Sequence, residues 1–206
     1  MSRVLVFGAG GRAGRAVVEE ARSRGHEVTA VVRDPSRYAD LPGLVAGDVT
    51  SAADVERLSK GHDAVVAAVY DGAGTDPAAF FTSAAGSLVD GLTKADVPRL
   101  LWVGLASILP TESGALLMDT PSYPQEYRSF YLAHAAAANV FGVSALDWVS
   151  IAPAGDFNHV NPARTGNYRV LPADATNLIS YADFAIALLD EIDRPAHHRG
   201  KLGVGS

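Results

Sequence analysis

Residues 4–33, VLVFGAGGRAGRAVVEEARSRGHEVTAVVR, decide how this chain folds. Val4–Phe7 is an unbroken apolar run, short enough for a strand and apolar enough to be buried on both faces. Gly8, Gly10, Gly11 and Gly14 follow at once. A helical pattern then runs over Ala16–Arg24, Gly25 closes it, and Glu27–Val32 reads as a second strand. Strand, glycine turn, helix and strand in direct succession are the setting that a dinucleotide-binding turn requires. The glycines permit a tight turn and let bare backbone approach a pyrophosphate. The helix N-terminus presents unpaired N–H groups to that anion.

The glycines satisfy two registers. Gly8, Gly10 and Ala13 fit G-x-G-x-x-A, while Gly8, Gly11 and Gly14 fit G-x-x-G-x-x-G. The end of the second strand selects the nucleotide, because an acid there holds the ribose 2′-OH of NAD. This chain has Arg33 at that position. A cation suits a 2′-phosphate, so NADP is expected. Arg12 and Arg37 are candidates for the same pocket, while the neighbouring Asp34 is the residue that would serve NAD.

Outward from this segment, strand and helix signals alternate, as a doubly wound parallel sheet demands. The expected strands are Leu44–Ala46, Asp63–Val69, Arg99–Gly104, Leu146–Ile151 and a short last one at Lys201–Val204. The expected helices are Ala52–Ser59 behind Ser51, Pro77–Ala95, Gln125–Val140 and Tyr181–Ile192 behind Ser180. Residues 105–124 and 152–176 read as irregular segments over the sheet. The expectation is an α/β chain with one Rossmann-type domain over residues 1–206 and a small C-terminal substrate-loop region.

Ligands in such sheets lie outside the carboxyl ends of the strands. That gathers the glycine turn, Arg33, Asp48-Val49, the small Gly-rich run Val69–Gly74 with Tyr70, and Ser107 around one crevice. Asp48 has two readings, as an acceptor for the adenine amino group or as an ordinary turn residue. Val49 is the residue to pack on the ring.

Composition bounds the rest. The chain has 206 residues, 48% hydrophobic and 19% charged, with a net charge of −6 and no cysteine. These values describe a globular chain without a disulfide framework or a nucleic-acid-binding face. No apolar run approaches the ~18 residues of a membrane span. The chain runs directly into a buried strand without a signal-peptide pattern, so a cytoplasmic location is expected. No histidine spacing matches a metal site. His26 and His62 precede strands away from the crevice, His197-His198 is expected in solvent, and His159 falls on a loop over the site.

The segments VLVFGAGGRAG, GHEVTAVVRDPSR, GDVTSAADVERLSKGHDAVV and LISYADFAIALL carry a resemblance over nearly the full chain. It resembles the atypical short-chain dehydrogenase/reductases of the NAD(P)H-binding, NmrA-like group, and within it the biliverdin reductase B/flavin reductase type. The resemblance implies a Rossmann fold with NADP held by the glycine turn, Arg33, Arg37 and Asp48-Val49. It also implies reduction of flavins, quinones or tetrapyrroles, or NADP sensing without turnover.

The chain departs from the wider superfamily at its chemistry. That superfamily uses Tyr-x-x-x-Lys on the helix after the fifth strand. Here Tyr131 stands four before Ala135, and no lysine lies between Lys94 and Lys201. Tyr131, with an ordinary pKa of ~10, is a poor proton donor without a cation, and Arg128 is the nearest candidate. Tyr127 and Tyr131 also suit plain packing at helical spacing. Ser107 is the candidate to bond a substrate carbonyl. Two further readings are an NADP-binding redox sensor and an NAD-using epimerase or dehydratase. The expected partner is a small-molecule substrate, with a homodimer left open.

Overall fold

The apolar run at residues 4–7 alternates its side chains between two helical layers. In the computed structural model, which describes residues 1–71 and 76–206, β1 spans Arg3–Phe7. Leu5 and Phe7 face one layer, and Val4 and Val6 face the other. A strand sandwiched in this way must be apolar throughout. The turn that follows leads into α1 (Arg12–Ser23), β2 (Glu27–Val32), β3 (Leu44–Ala46), α2 (Ala52–Ser59) and β4 (Ala64–Ala67). Then come α3 (Pro77–Ala95), β5 (Arg99–Val103), α4 (Arg128–Gly142), β6 (Asp147–Pro153), β7 (Asp156–Phe157), β8 (Arg169–Val170), β9 (Leu178–Ile179), α5 (Tyr181–Asp193) and β10 (Gly200–Gly205).

The main sheet has the order β3-β2-β1-β4-β5-β6-β10-β8. All its pairings are parallel except that of β8 with β10, and β7 pairs with β9 in a small separate sheet. This is the expected doubly wound α/β fold. Phe7 stands level with Val31 of β2 and Ala67 of β4, so the carboxyl ends of these three strands share one edge. α2, α3 and α4 cover one face through Val55, Phe81, Leu88, Ala137 and Phe141. α1 and α5 cover the other through Val17, Ala21, Phe184 and Leu188.

Several boundaries shift from the sequence reading. α1 starts at Arg12 rather than Ala16, because the helix follows the glycine turn without a spacer. α4 starts at Arg128 rather than Gln125, whose side-chain amide instead donates to the Met118 and Tyr123 carbonyls. His197 and His198 are exposed, as expected, and each also meets a carboxylate. His197 sits 2.6 Å from Glu191 and His198 sits 2.9 Å from Asp147, and both carboxylates also hold the buried guanidinium of Arg99. No helix among the described residues is long and apolar enough to cross a membrane.

Thr165 and Gly166 are held by one carboxylate. Asp183, fully buried in the first turn of α5, accepts hydrogen bonds from Thr165 N, Thr165 Oγ1, Gly166 N and Ser180 Oγ. Burial alone would raise its pKa, but these bonds outweigh burial and hold it below the ordinary carboxylate range. Its contribution is therefore complete above the unfolded carboxylate pKa of ~3.9 and is lost as the pH falls through the lower folded value. Asp183→Ala should cost about 2–3 kcal/mol at pH 7. The loss should shrink toward pH 3 in denaturant melts, and hydrogen exchange at residues 163–168 should rise.

Candidate active site

The chain reverses its winding direction at β1, since β2 and β3 extend the sheet on one side and β4 and β5 on the other. The connections leaving β1 and β4 therefore diverge and open a crevice at the carboxyl edge. A cavity of about 280 Å³ lies in it. Its floor is Phe7, Gly8, Gly10 and Gly11, and its walls come from Val31–Arg33 after one strand and Ala68–Tyr70 after another.

The glycine turn has little room. Gly8 has φ +78°, and a Cβ there would overlap the Ala68 carbonyl oxygen. A Cβ on Gly14 would overlap the carbonyl oxygen of Gly8, which fixes how closely α1 approaches the turn. Gly10 lies under the Tyr38 ring. Gly11 is the N-cap of α1 and offers no side-chain cap, and the first turn of α1 contains no acid. Ser51, Asp76 and Ser180 cap α2, α3 and α5, while α4, like α1, has no side-chain cap. The positive end of α1 is thus left for an anion from outside the helix. Gly14→Ala should lose at least about 2 kcal/mol of stability through this overlap. Gly11→Ala, whose Cβ would sit at an ordinary 3.5 Å from Gly8 O, should lose about 1 kcal/mol or less. Thermal melts of the two variants test the contrast.

Two guanidiniums edge the cavity. Arg33 follows β2, its side chain is 54% exposed, and its Nη2 donates to Asp71 Oδ1 at 3.0 Å. Arg37 closes a short 3-10 turn, Pro35–Arg37, and also lines the cavity. Asp34 lines the cavity as well. Its Oδ1 accepts from Ser36 Oγ at 2.6 Å and Ser36 N at 3.0 Å, and these bonds hold its pKa below the ordinary range.

Arg12 does not join Arg33 and Arg37 on the cavity wall. Standing at the first position of α1, it reaches His159 Nδ1 at 3.3 Å on the far side of the turn. Ala13 and Gly14 lie inside α1 and do not line the cavity. Of the two readings of Asp48, the structure shows the turn: its Oδ1 accepts from Thr50 N at 2.8 Å and Thr50 Oγ1 at 2.7 Å. Val49, Val69 and Tyr70 do line the cavity, while Gly72–Gly74 of the Gly-rich run lie outside the described residues.

Sequence reasoning missed Tyr38, the lone aromatic between Arg33 and Gly43, which packs over Gly10. It also missed Arg15, whose Nε donates to Gly10 O at 3.0 Å while Nη1 pairs with Asp40 at 2.6 Å.

Residues 8–195 match the NAD(P)H-binding family. The chain belongs to that family. It is 34% identical to the protein YwnB of Bacillus subtilis, with 99% of this chain and 98% of that one aligned. Among solved structures it is similar to a protein from Streptococcus pneumoniae provisionally named an NADH-flavin reductase. That match has 29% identity and a TM-score of 0.84, and covers 100% of both chains. It is also similar to a provisionally named exported protein from Burkholderia pseudomallei, at 32% identity and a TM-score of 0.85 over 100% of both chains. A third similar structure is a provisionally named epimerase from Bacteroides thetaiotaomicron, at 31% identity and a TM-score of 0.82, covering 99% of this chain and 96% of that one.

For a member of the NAD(P)H-binding family, the side chains beyond the cavity are short of acid–base groups. Ser107 is fully buried in a 3-10 turn after β5, and its Oγ has no hydrogen-bond partner among the described residues. Tyr131 is buried against Tyr123, with ring centroids 5.2 Å apart, and burial pushes its phenol pKa up. Arg128 is not beside the Tyr131 phenol but is held by Asp119 at 2.7 Å and the Met118 carbonyl at 3.0 Å. His134 packs 4.1 Å from Phe81 and 4.9 Å from Phe130, and burial pushes its pKa down to about 4, so it is neutral. Tyr70 stands out as an exposed ring, 67% accessible, set edge-on to Phe130.

Proposed function

We propose that this chain is an NADPH-dependent reductase that delivers hydride to a planar conjugated acceptor such as a flavin or quinone. One observation carries the reading: a single cavity joins the uncapped N-terminus of α1 to two arginines, Arg33 and Arg37. These groups fit a dinucleotide's phosphates by charge and by shape. Bare backbone at Gly8, Gly10 and Gly11 leaves space where side chains would obstruct, and the helix terminus suits a pyrophosphate. A guanidinium at the end of β2 suits a 2′-phosphate by paired, charge-assisted hydrogen bonds. Asp34, the acid that would serve NAD, has its Oδ1 bonded to Ser36. NADPH is an intracellular reductant, which agrees with a cytoplasmic location.

Bound NADPH supplies the hydride, and the residues of the chain align the two rings and exclude water. The exposed edge of Tyr70, backed by Phe130, offers an apolar flank for a flat acceptor. With Tyr131 buried and without a cation, the proton comes from solvent, and a Tyr–Lys couple is dispensable. Flavins and quinones accept hydride on those terms, whereas a simple carbonyl needs a donor at its oxygen. The same buried Tyr131 and Ser107 favour a second reading, an NADP-binding redox sensor that does not turn over. They disfavour an epimerase or dehydratase, which needs acid–base groups in contact with substrate.

Purified protein mixed with NADPH and a panel of flavins and quinones should consume the nicotinamide absorbance well above the protein-free rate. Tight NADPH binding without turnover on any acceptor would instead favour the sensor. Tyr131→Phe should leave kcat within about threefold, against the ~100-fold or greater loss expected of a general acid. Arg33→Gln should weaken NADPH binding about tenfold or more, with a much smaller effect on NADH, as titration calorimetry would read.

A further inference from the structure

The geometry points to Asp71 as a residue that sets cofactor preference by competing with the ligand's 2′-phosphate for Arg33. Arg33 follows β2 and Asp71 follows β4, and these strands flank β1 on either side. Two strand spacings, about 10 Å in all, separate their ends. The 3.0 Å pair between Arg33 Nη2 and Asp71 Oδ1 therefore bridges the mouth of the crevice above the glycine turn. Arg33 and Tyr70, the residue just before Asp71, both line the cavity below. Asp34, the other carboxylate on this edge, is bonded to Ser36 and makes no ion pair with Arg33.

Arg33 thus has an internal counter-anion in the place where the proposed NADPH would bring its own. A 2′-phosphate and the Asp71 carboxylate are like charges competing for one guanidinium, so binding the phosphate requires the Asp71 pair to open. A dinucleotide without that phosphate leaves the pair closed. Asp71 therefore weakens binding of the phosphorylated cofactor selectively. The pair is partly exposed, so its strength is modest and is screened by salt.

This inference rests on the NADPH reading, and one experiment separates their fates. Titration calorimetry of the full chain with NADP⁺ and NAD⁺ is run on the unchanged protein, Asp71→Asn, Arg33→Gln and the double variant. Asp71→Asn should tighten NADP⁺ binding about three- to tenfold and move NAD⁺ affinity less than twofold. In the Arg33→Gln background it should change neither. Asp71→Ser should reproduce the effect if the amide packs poorly. Unchanged or weaker NADP⁺ binding in both Asp71 variants overturns the inference. So does equal tightening for both dinucleotides, or a gain that persists without Arg33. Each of these leaves the NADPH reading standing if the unchanged protein binds NADP⁺. If the unchanged protein prefers NAD⁺ or binds neither, the cofactor reading falls first and the inference goes with it.

Discussion

Backbone touches backbone, with no side chain between, where the first strand ends. The Gly8 α-carbon faces the Ala68 carbonyl beyond β4, and the Gly14 α-carbon faces the Gly8 carbonyl from inside α1. These two contacts set the distances among the central strand, its neighbour and the first helix. Because β1 sits where the sheet reverses its winding, the same contacts set the width of the crevice. A methyl group at either position would push α1 or β4 outward, and both helical layers are registered on β1 through Leu5, Phe7, Val4 and Val6. The cost of such a shift falls on the whole core, because a close-packed interior does not absorb it locally.

Charge is divided between the two edges of the sheet. Near the starts of β5 and β6, Arg99 is enclosed by Glu191, Asp147 and the His197 carbonyl, and His197 and His198 complete the network. Burial raises the Glu191 carboxyl, but His197 and two backbone N–H groups outweigh it and hold the group ionised. Arg24 is likewise surrounded by Glu20, Asp190 and Asp193, and these carboxylates more than offset the effect of burial and raise its pKa. At the carboxyl edge, Arg33 meets only one carboxylate among the described residues and remains half exposed. Saturated networks at one end stabilise the chain, while unsaturated cations at the other end are available to a ligand. Such a division concentrates binding at the edge where the strand ends already leave space.

The sheet and most of its elements were legible because their signals are local. β2, β3, α2 and α3 begin and end where periodicity and caps say they should, at Glu27, Ser51 and Pro77 among others. The floor of the crevice was legible for the same reason, since glycine spacing encodes a turn directly. What failed to show were contacts made across the fold. Nothing in the sequence near Arg12 says that His159, 147 residues on, will draw it away from Arg33. The packing reading of Tyr131 holds, but its spacing alone does not name Tyr123, eight residues earlier, as the ring it packs on. Asp48 has two readings because adenine binding and turn formation use the same short carboxylate, and the Thr50 bonds show the turn at one of its oxygens. Tyr38 went unseen because it acts on Gly10 through tertiary geometry alone, and Arg15 because its side chain folds back on the turn rather than out to solvent.

The loop on the far side of the glycine turn depends on a carboxylate far from it in sequence. Asp183 fixes Thr165 and Gly166, and Arg164 beside them reaches Glu20 on α1 at 3.2 Å. The segment leading into this anchor carries His159 to Arg12, at the first residue of the helix whose N-terminus is left uncapped. Phe157 stacks on Tyr181 at 4.0 Å, which holds the start of the same segment against α5. A loop that would otherwise be free in solvent is therefore pinned at both ends to the α1–α5 layer. Near its start, His159 meets Arg12 beside the glycine turn. The position of this loop is then a property of how α5 is capped and how α1 packs on it. Substitutions at Asp183 or Glu20 would loosen it without touching any residue that lines the cavity.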